Sequence, residues 1–427
     1  MTLIVRGARI LGGSAADLTI EDGTITAIGT ASASADATVV DADGLVALPG
    51  LVDLHTHLRE PGFEQSETVA TGVRAAAAGG FTAVFAMANT RPVADTVAVV
   101  EQVAELGRRA GLAYVQPIGA VTVGLAGERL ADLGMMARSA ARVRVFSDDG
   151  HCVHDAQLMR RALEYVAPFD GVIAQHAQEP TLTVGAQMHE SALSGELGLA
   201  GWPAVAESAI VARDVLLAEA TGGRLHVCHV STGETVEVLR WAKARGIRVT
   251  AEVTPHHLVL TEQEVRGYDA RFKVNPPLRA ASDVDALRAA LADGTIDVVA
   301  TDHAPHPVEA KQAAWADAAM GMVGLETALA VVQEAMVDTG LLDWEGVARV
   351  LSTTPARIGR LATQGQGIVV GAPAHLALLD PSGATSIETH HLHGTSTNSP
   401  FLGRSLPGRV VHTIYDGRPT VSDGVVA

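Results

Sequence analysis

Cysteine and aromatic residues are scarce in this chain. Of its 427 residues, two are cysteines, Cys152 and Cys228, and only 4% are aromatic. Two cysteines so far apart in sequence build no disulfide framework, so a reducing compartment is expected. Because aromatic side chains are few, the core has to consist mainly of alanine, valine and leucine.

Positive charge and long apolar runs are lacking as well. The formal net charge is −17 at pH 7, which argues against nucleic acid and anionic membranes as partners. No apolar run reaches the length of a membrane span, and residues 1–7 lack the features of a signal peptide. We therefore expect a cytoplasmic protein, in which an anionic substrate would need locally placed arginine, histidine or helix N-termini.

What the chain does have is apolar material for a large core, since 48% of its residues are hydrophobic. The two ends of the chain have similar sequence patterns. Residues 3–11 and 18–28 alternate in polarity around an Asp22-Gly23 hairpin signal, and residues 367–371, 375–380 and 410–417 look similar. These patterns predict one accessory β domain assembled from both termini.

The middle of the chain alternates β-rich apolar runs with alanine-rich helical segments. The helical segments include residues 68–78, 97–109, 156–167 and 204–220. The apolar runs lie near residues 51–55, 81–87, 114–121, 142–148, 171–176, 224–230, 247–253 and 296–301. A doubly wound sheet is the alternative, but no Gly-x-Gly-x-x-Gly follows the first run. We predict an α/β protein in which residues 49–364 form a (β/α)₈ TIM barrel and residues 1–48 and 365–427 form a small β-sandwich domain.

Polar, metal-ligating residues follow most of these runs. His55 and His57 close the first run two residues apart, so their side chains share one face of the strand. The carboxyl ends of barrel strands carry the active site in this fold. Imidazole and carboxylate ligands suit zinc, and four histidines with two aspartates would hold two ions. The later members of this set are Asn89, Asp148, Asp149, His176, His226, His229, His256, His257, Asp302, His303 and His306.

The chain resembles the cyclic-amidohydrolase branch of the amidohydrolase superfamily, most closely the class I bacterial dihydroorotases. The resemblance covers nearly the whole chain. It is carried by the stretches His-Thr-His-Leu-Arg-Glu-Pro-Gly at 55–62, Met-Ala-Asn-Thr at 87–90, Phe-Ser-Asp-Asp-Gly at 146–150, His-Val-Cys-His-Val-Ser at 226–231, Glu-Val-Thr-Pro-His-His-Leu at 252–258, Asn-Pro-Pro-Leu-Arg at 275–279 and Thr-Asp-His-Ala-Pro-His at 301–306.

The resemblance implies two zinc ions per chain that share a bridging carboxylate. One ion would be held by His55, His57 and Asp302, and the other by His176 and His229. In many superfamily members the bridge is a carbamylated lysine that closes the fourth strand.

None of the three lysines, Lys243, Lys273 and Lys311, lies at that position. Strand four offers Asp148 or Asp149 instead, and the spacing to His176 favours Asp149, as in bacterial members with an aspartate bridge. Asp148 would then point away, with capping of the following turn as one of its possible roles.

The activity implied is the reversible interconversion of N-carbamoyl-L-aspartate and (S)-dihydroorotate in de novo pyrimidine biosynthesis. Asp302 would move the proton in both directions. The implied substrate-binding residues are Arg59, whose guanidinium can grip a carboxylate, and Asn89, Asn275, His306, Met320 and Gly321. Two departures, Met87-Ala88-Asn89-Thr90 and His176-Ala177-Gln178-Glu179, bear on fine specificity.

Other interpretations stay open. Hydantoinases, dihydropyrimidinases and allantoinases resemble the chain in fold, and a non-catalytic scaffold for aspartate carbamoyltransferase is a rival from another class. That enzyme is also a candidate partner of an active protein, and we expect a homo-oligomer. Asn275 before two prolines also suits a turn, and His226, His256 and His257 suit supporting hydrogen bonds better than metal ligation.

Overall fold

The computed structural model describes residues 2–30 and 37–427. The strands are β1 (Thr2–Ile10), β2 (Ala15–Glu21), β3 (Thr24–Gly29), β4 (Thr38–Asp41), β5 (Val46–Pro49), β6 (Leu51–Thr56), β7 (Phe81–Ala86), β8 (Tyr114–Pro117), β9 (Val145–Phe146), β10 (Val172–Gln175), β11 (Met188–His189), β12 (Gly201–Trp202), β13 (Arg224–Val227), β14 (Val249–Val253), β15 (Val298–Val299), β16 (Leu376–Ser386), β17 (Ser405–Tyr415), β18 (Arg418–Ser422) and β19 (Val425–Val426).

The α-helices are α1 (Val69–Ala78), α2 (Val97–Ala110), α3 (Leu133–Arg138), α4 (Ala156–Val166), α5 (Ala192–Leu197), α6 (Val205–Thr221), α7 (Gly233–Ala244), α8 (Ala281–Asp293), α9 (Val308–Lys311), α10 (Ala328–Val332), α11 (Trp344–Ala348) and α12 (Thr354–Ile358). Short 3₁₀ and π turns occur between them, among them His256–Leu258 and Gln333–Val337. No helix within the described ranges is both long and apolar enough to span a lipid bilayer.

The middle of the chain is a set of parallel strands alternating with helices. One sheet has the order β6-β7-β8 and another the order β15-β14-β13-β10-β9, with parallel pairing throughout. Isolated parallel bridges join Gly119 to Phe146 and Thr56 to His303. Every apolar run predicted for this region contains one of these strands, and the four predicted helices are α1, α2, α4 and α6. These elements confirm the predicted alternation of strand and helix.

The terminal strands of the chain belong to one larger sheet, with the order β19-β18-β17-β16-β5-β1-β2-β3 and β4 beside β1. The Asp22-Gly23 hairpin is confirmed, because β2 and β3 pair antiparallel on either side of it. Strand β5 pairs with β16 at the boundary with the parallel strands. Ala47 packs in the core of the terminal sheet, whereas Val46 and Leu48 pack in the core of the middle region.

The strand predicted at residues 367–371 is wrong. This segment forms bends and a turn, with Val369 and Val370 exposed by 57% and 61%. Its contacts to the sheet are main-chain hydrogen bonds to Ile25, which accepts from Gly371 and donates to Ala372. Only Ile368 is buried, so the local β-rich composition was not matched by a strand partner.

Candidate active site

Asp149 and four histidines meet beyond the carboxyl ends of the parallel strands. One oxygen of Asp149, Oδ1, lies 3.3 Å from His55 Nε2, 3.4 Å from His176 Nδ1 and 3.3 Å from His229 Nε2. The other oxygen, Oδ2, lies 3.3 Å from His57 Nε2. All five side chains are buried. Asp149 with His55 and His57, and Asp149 with His176 and His229, each form a group able to hold a metal ion.

The first histidine pair is His55 and His57, and in both rings Nδ1, the nitrogen that faces away from Asp149, already has a hydrogen-bond partner. His55 Nδ1 lies 2.6 Å from Glu252 Oε1, and His57 Nδ1 lies 2.9 Å from Asn89 Oδ1. Because both oxygens are acceptors, each Nδ1 carries the proton and each Nε2 of a neutral ring turns a lone pair toward Asp149. His55 Nε2 is buried and makes no hydrogen bond among the described residues. Lone pairs facing a carboxylate repel it unless a proton or a metal ion lies between them.

In the second pair, His176 is arranged in the same way. His176 Nε2 lies 2.8 Å from Gln178 Oε1, which leaves His176 Nδ1 facing His229 Nε2 at 2.9 Å and Asp149. Histidine ligands of metal ions are commonly oriented by a hydrogen bond at their other nitrogen. The donor set and its orientation therefore fit a pair of divalent ions such as zinc.

Electrostatics at the cluster also favour a cation. Burial lowers the pKa of His55, but the charges of Asp149, Glu252 and Asp302 outweigh it and raise that pKa well above its usual range. Burial raises the pKa of Asp149, but the neighbouring His55, His176 and His229 hold it well below its usual range. The pocket thus stabilises positive charge at its centre.

Asp302 lies against the first histidine pair. Its Oδ1 is 3.1 Å from His57 Nε2 and 3.4 Å from His55 Nε2. The residue follows β15 in a left-handed conformation, with a φ of 47°. Asp53 ties this end of the chain to β6, because its Oδ1 accepts hydrogen bonds from the backbone N–H groups of His55 and Thr301. Asp53 and Thr301, which are 248 residues apart in sequence, thereby fix the ends of β6 and β15 side by side.

The predicted substrate residues lie around this cluster, with different partners. Arg59 is partly buried, its Nε donates to Pro305 O at 3.2 Å, and desolvation lowers its pKa to about 10. Asn89 contacts His57, as described above. Asn275 Nδ2 donates to Gln178 Oε1 at 3.1 Å, while its buried Oδ1 finds no partner within the described part of the chain. An unsatisfied buried acceptor of this kind is suited to a ligand donor.

His306, Met320 and Gly321 come together on one side of the pocket. His306 Nε2 donates to Met320 O at 2.8 Å. Burial, with the nearby charges of Arg59 and Lys311, lowers the pKa of His306 to about 3, so the ring is neutral at pH 7. Gly321 has a φ of 136°, and a Cβ there would lie 2.8 Å from His306 Nε2.

Asp148, His226 and His257 have supporting contacts, whereas the supporting hydrogen bond expected of His256 is not seen, since its buried Nε2 has no partner within the described ranges. The side chain of Asp148 accepts hydrogen bonds from the backbone of Val121 and Thr122, and among the described residues it makes none to the turn that follows it. His226 lies behind the cluster, with Nε2 2.9 Å from Glu252 Oε2. His257 Nδ1 lies 2.7 Å from Thr254 Oγ1.

Sequence reasoning gave no role to two residues that hold the histidines, Glu252 and Gln178. The oxygens of Glu252 bind His55 and His226, and burial is outweighed by these two rings, which keep the pKa of Glu252 below its usual range. Glu252 stands in strand β14 among apolar residues, where a carboxylate needs a partner. The position of Glu252 in this apolar strand was the sequence feature that could have indicated its role.

Comparison with known proteins agrees with this geometry. A family model described as "Dihydro-orotase-like" matches residues 44–235. The curated dihydroorotase of Leifsonia xyli subsp. xyli is 69% identical and covers 100% of this chain and 97% of its own length. The dihydroorotase of Streptomyces coelicolor is 63% identical and covers 99% of this chain and 98% of its own length. A solved L-hydantoinase (dihydropyrimidinase) from Arthrobacter aurescens superposes with a TM-score of 0.88 at 26% identity, covering 100% of this chain and 98% of that one.

The fold and the histidine–aspartate cluster define a cyclic amidohydrolase of the amidohydrolase superfamily. Its hydantoinase relatives have the same mixed α/β architecture. Within that class, the full-length identity to curated relatives shows that the chain belongs to the dihydroorotase family.

Proposed function

We propose that this protein catalyses the reversible interconversion of N-carbamoyl-L-aspartate and (S)-dihydroorotate, a step of de novo pyrimidine biosynthesis. The observation that carries the proposal is the Asp149-centred cluster, with Arg59 and Asn275 beside it. A cationic side chain near a metal-binding cluster suits a cyclic amide that bears a carboxylate outside the scissile bond.

The metal complement proposed is two zinc ions per chain, bridged by Asp149. His55, His57 and Asp302 would hold one ion, and His176 and His229 the other. The three lysines have other contacts: Lys243 pairs with Asp297, and Lys273 and Lys311 donate to main-chain carbonyls. In this proposal, the Asp149 carboxylate takes the place that a carbamylated lysine has in related enzymes.

When bound, the two ions would supply an acidified water and polarise the amide carbonyl. Asp302 would act as general base in ring opening, taking the proton of the attacking water and passing it to the leaving nitrogen. Its pKa lies below the usual range, because His55 and His57 outweigh the effect of burial, so it is ionised at neutral pH as this role requires. Ring closure would begin with Asp302 protonated.

Substrate binding would rest on side chains of two kinds. The Arg59 fork would bind the carboxylate, and Asn275 Oδ1 would accept a hydrogen bond from a ring N–H. Asn89, His306, Met320 and Gly321 complete the proposed pocket. His306 donates its Nε2 proton to Met320 O, so it would offer Nδ1 as an acceptor in its neutral form.

We further propose that the eight parallel strands close into a (β/α)₈ barrel spanning residues 49–364. The bridges Gly119–Phe146 and Thr56–His303 support closure, because they connect the two parallel sheets at both ends. Residues 1–48 and 365–427 would form the accessory sandwich. A shared core containing Leu18 and Ile20 from one terminus and Leu376 and Ile414 from the other supports that division.

The remaining proposals concern the setting of the enzyme. We propose a cytoplasmic homo-oligomer that can associate with aspartate carbamoyltransferase, the enzyme that makes carbamoyl-aspartate. Their support is the two-cysteine composition and the family resemblance. Light scattering of the purified chain alone and mixed with that enzyme tests both associations.

One assay separates this function from its rivals. Purified enzyme is offered dihydroorotate, hydantoin, dihydrouracil and allantoin at equal concentration, and ring opening is followed for each. We expect dihydroorotate to be preferred by at least about 10²-fold, since an uncharged ring forgoes the charged hydrogen bonds to Arg59. Preference for an uncharged ring would favour a hydantoinase-like enzyme, and no turnover with both ions bound would favour the scaffold.

A further inference from the structure

Two of the three lysines of this chain are buried beside one loop, the segment that runs from His306 to Gly321. Lys311 and Lys273 are 9% and 2% exposed, and neither forms an ion pair with a carboxylate in the described ranges. Their ammonium groups instead donate to main-chain carbonyls. A buried ammonium without a counter-ion is costly, so its hydrogen bonds have to be in place for the fold to tolerate it.

Lys311 holds the end of the loop. Its Nζ donates to Ala319 O at 2.8 Å, to Gly321 O at 2.8 Å and to Lys273 O at 3.2 Å. An ammonium has three protons, so these acceptors saturate it. Because Met320 O accepts from His306, all three successive carbonyls of residues 319–321 have a side-chain donor.

Of the backbone N–H groups of the same three residues, two have acceptors and one does not within the described residues. Ala319 N–H donates to Ala310 O and Gly321 N–H donates to Lys273 O, both at 2.9 Å. The Met320 N–H finds no acceptor among residues 2–30 and 37–427. Fixing the other groups therefore fixes the direction of one available backbone donor next to His306.

Asn398, from the distant segment before β17, completes the anchor. Its Nδ2 donates to Gly321 O at 3.2 Å and to Ala304 O at 3.1 Å, and its Oδ1 accepts from His306 N at 3.1 Å. A Cβ at position 321 would lie 2.8 Å from His306 Nε2, so glycine allows the loop to approach the ring, and the hydrogen bond from His306 Nε2 to Met320 O couples the two.

We propose that Lys311 is a positioning residue for substrate recognition: together with Asn398 it fixes residues 319–321, and through them the His306 ring and the Met320 N–H. The proposal rests on the proposed function, because it takes His306 and Met320 as substrate contacts. Within the described residues, the hydrogen bonds of Lys311 Nζ go to Lys273 O, Ala319 O and Gly321 O and to none of the proposed metal ligands.

The surroundings of Lys311 predict a pH dependence. Burial and the charge of Lys273 lower its pKa to about 7, and Asp269 acts in the opposite direction. The other charged or titratable groups near it are His306, which its charge affects, and Asp317, which acts on Lys273. Above neutral pH the ammonium becomes an amine with two protons, so one of the three carbonyls loses its donor.

The test compares Lys311→Met and Lys311→Arg with Lys243→Met. Lys243 is a matched control because its Nζ pairs with Asp297 and the backbone of Gly294, away from the loop. For Lys311→Met we expect KM for dihydroorotate to rise about tenfold to hundredfold, the effect of losing charged hydrogen bonds, while kcat changes less than about threefold. Lys243→Met should match the wild type.

The pH profile separates positioning from general stabilisation. Wild-type KM should rise as pH passes above about 7, and Lys311→Arg, which stays protonated, should remove that rise. Amide hydrogen exchange of residues 319–321 should accelerate in Lys311→Met and in Asn398→Ala, with metal content unchanged. The exchange measurement needs no activity, so it decides the anchoring even if dihydroorotate is not the substrate.

Unchanged KM together with unchanged exchange at residues 319–321 in folded Lys311→Met would overturn the proposal. If that variant does not fold, Asn398→Ala and Lys311→Arg decide the matter. Unaltered exchange in the first, or a wild-type pH profile of KM in the second, would overturn it equally. Faster exchange at residues 319–321 without any change in KM would show that Lys311 anchors the loop, but it would refute a role of Lys311 in substrate recognition.

Discussion

The two histidine pairs of the cluster share Asp149 but are built differently. His55 lies in β6 and His57 directly follows that strand, whereas His176 and His229 follow two different strands and are 53 residues apart. Glu252 and Asn89 orient the first pair, whereas Gln178 orients His176 of the second. A carboxylate partner makes an imidazole a stronger ligand than an amide partner does. We therefore expect the first half of the centre to hold its ion more tightly than the second.

Replacing Asp149, which both histidine pairs share, should disable both halves of the centre and so abolish the difference in metal retention between them. In Asp149→Asn we expect loss of at least one of the two proposed ions and a fall in activity of more than about 10³-fold, because the proposed ions would supply the nucleophile. Metal analysis and the rate of dihydroorotate hydrolysis measure this. Asp148→Asn, which alters a neighbouring carboxylate bonded to Val121 and Thr122, should be the milder change. An Asp149 variant with both ions and full activity would show that the bridge lies elsewhere.

Replacing Asp302 should affect the first half and the proton transfer together. Asp302→Asn cannot carry a proton, so both directions should slow by at least ~10²-fold. Because the wild-type pKa of Asp302 lies below its usual range, hydrolysis should fall as pH drops through the apparent pKa, while cyclisation should rise. That apparent value belongs to the coupled cluster. Near-normal rates in a variant holding both ions would assign proton transfer to another residue, with His303 and His306 the nearest candidates.

Exchanging the outer partners tests the asymmetry directly. Glu252→Gln should weaken retention of the more tightly held ion by about 10- to 100-fold, and Gln178→Glu should strengthen retention of the other. Competition with a chelator, followed by counting the ions that remain, measures both without an activity assay. Equal retention in wild type, or no response to either substitution, would contradict the inferred difference between the halves.

The smallest effect is expected at Arg59, which lies outside both halves. Arg59→Lys keeps the charge but loses the planar fork, so KM for dihydroorotate should rise about tenfold while both ions remain. Steady-state kinetics on dihydroorotate, with dihydrouracil as the uncharged comparison, measure the change. If KM does not move, the substrate carboxylate is bound by other groups.

Local patterns made part of this molecule predictable. The alternation of apolar runs and helical segments located the parallel strands, and the residues that end them include His55, His57, Asp149, His176 and His229, which the structure brings together. The pattern failed at residues 367–371, where β-rich composition had no strand to pair with.

The supporting contacts around the cluster were beyond reach of the sequence. Glu252 meets His55 across 197 residues, and Asn398 meets His306 across 92. Neither residue belongs to a periodic pattern that would place it there. Such partners meet only when distant parts of the fold come together, and a single sequence contains no pattern that identifies them.

The boundary strand β5 has a consequence for the active site. Its alternating side chains face two cores, and a single residue, Gly50, separates it from β6, which carries His55. Gly50 has no space for a side chain, since a Cβ would lie 2.2 Å from Thr82 Oγ1. A deletion of one residue in β5 would exchange its two faces and draw His55 out of register with Asp149. The length of β5 in the terminal sheet thus sets the position of His55 in β6 relative to Asp149.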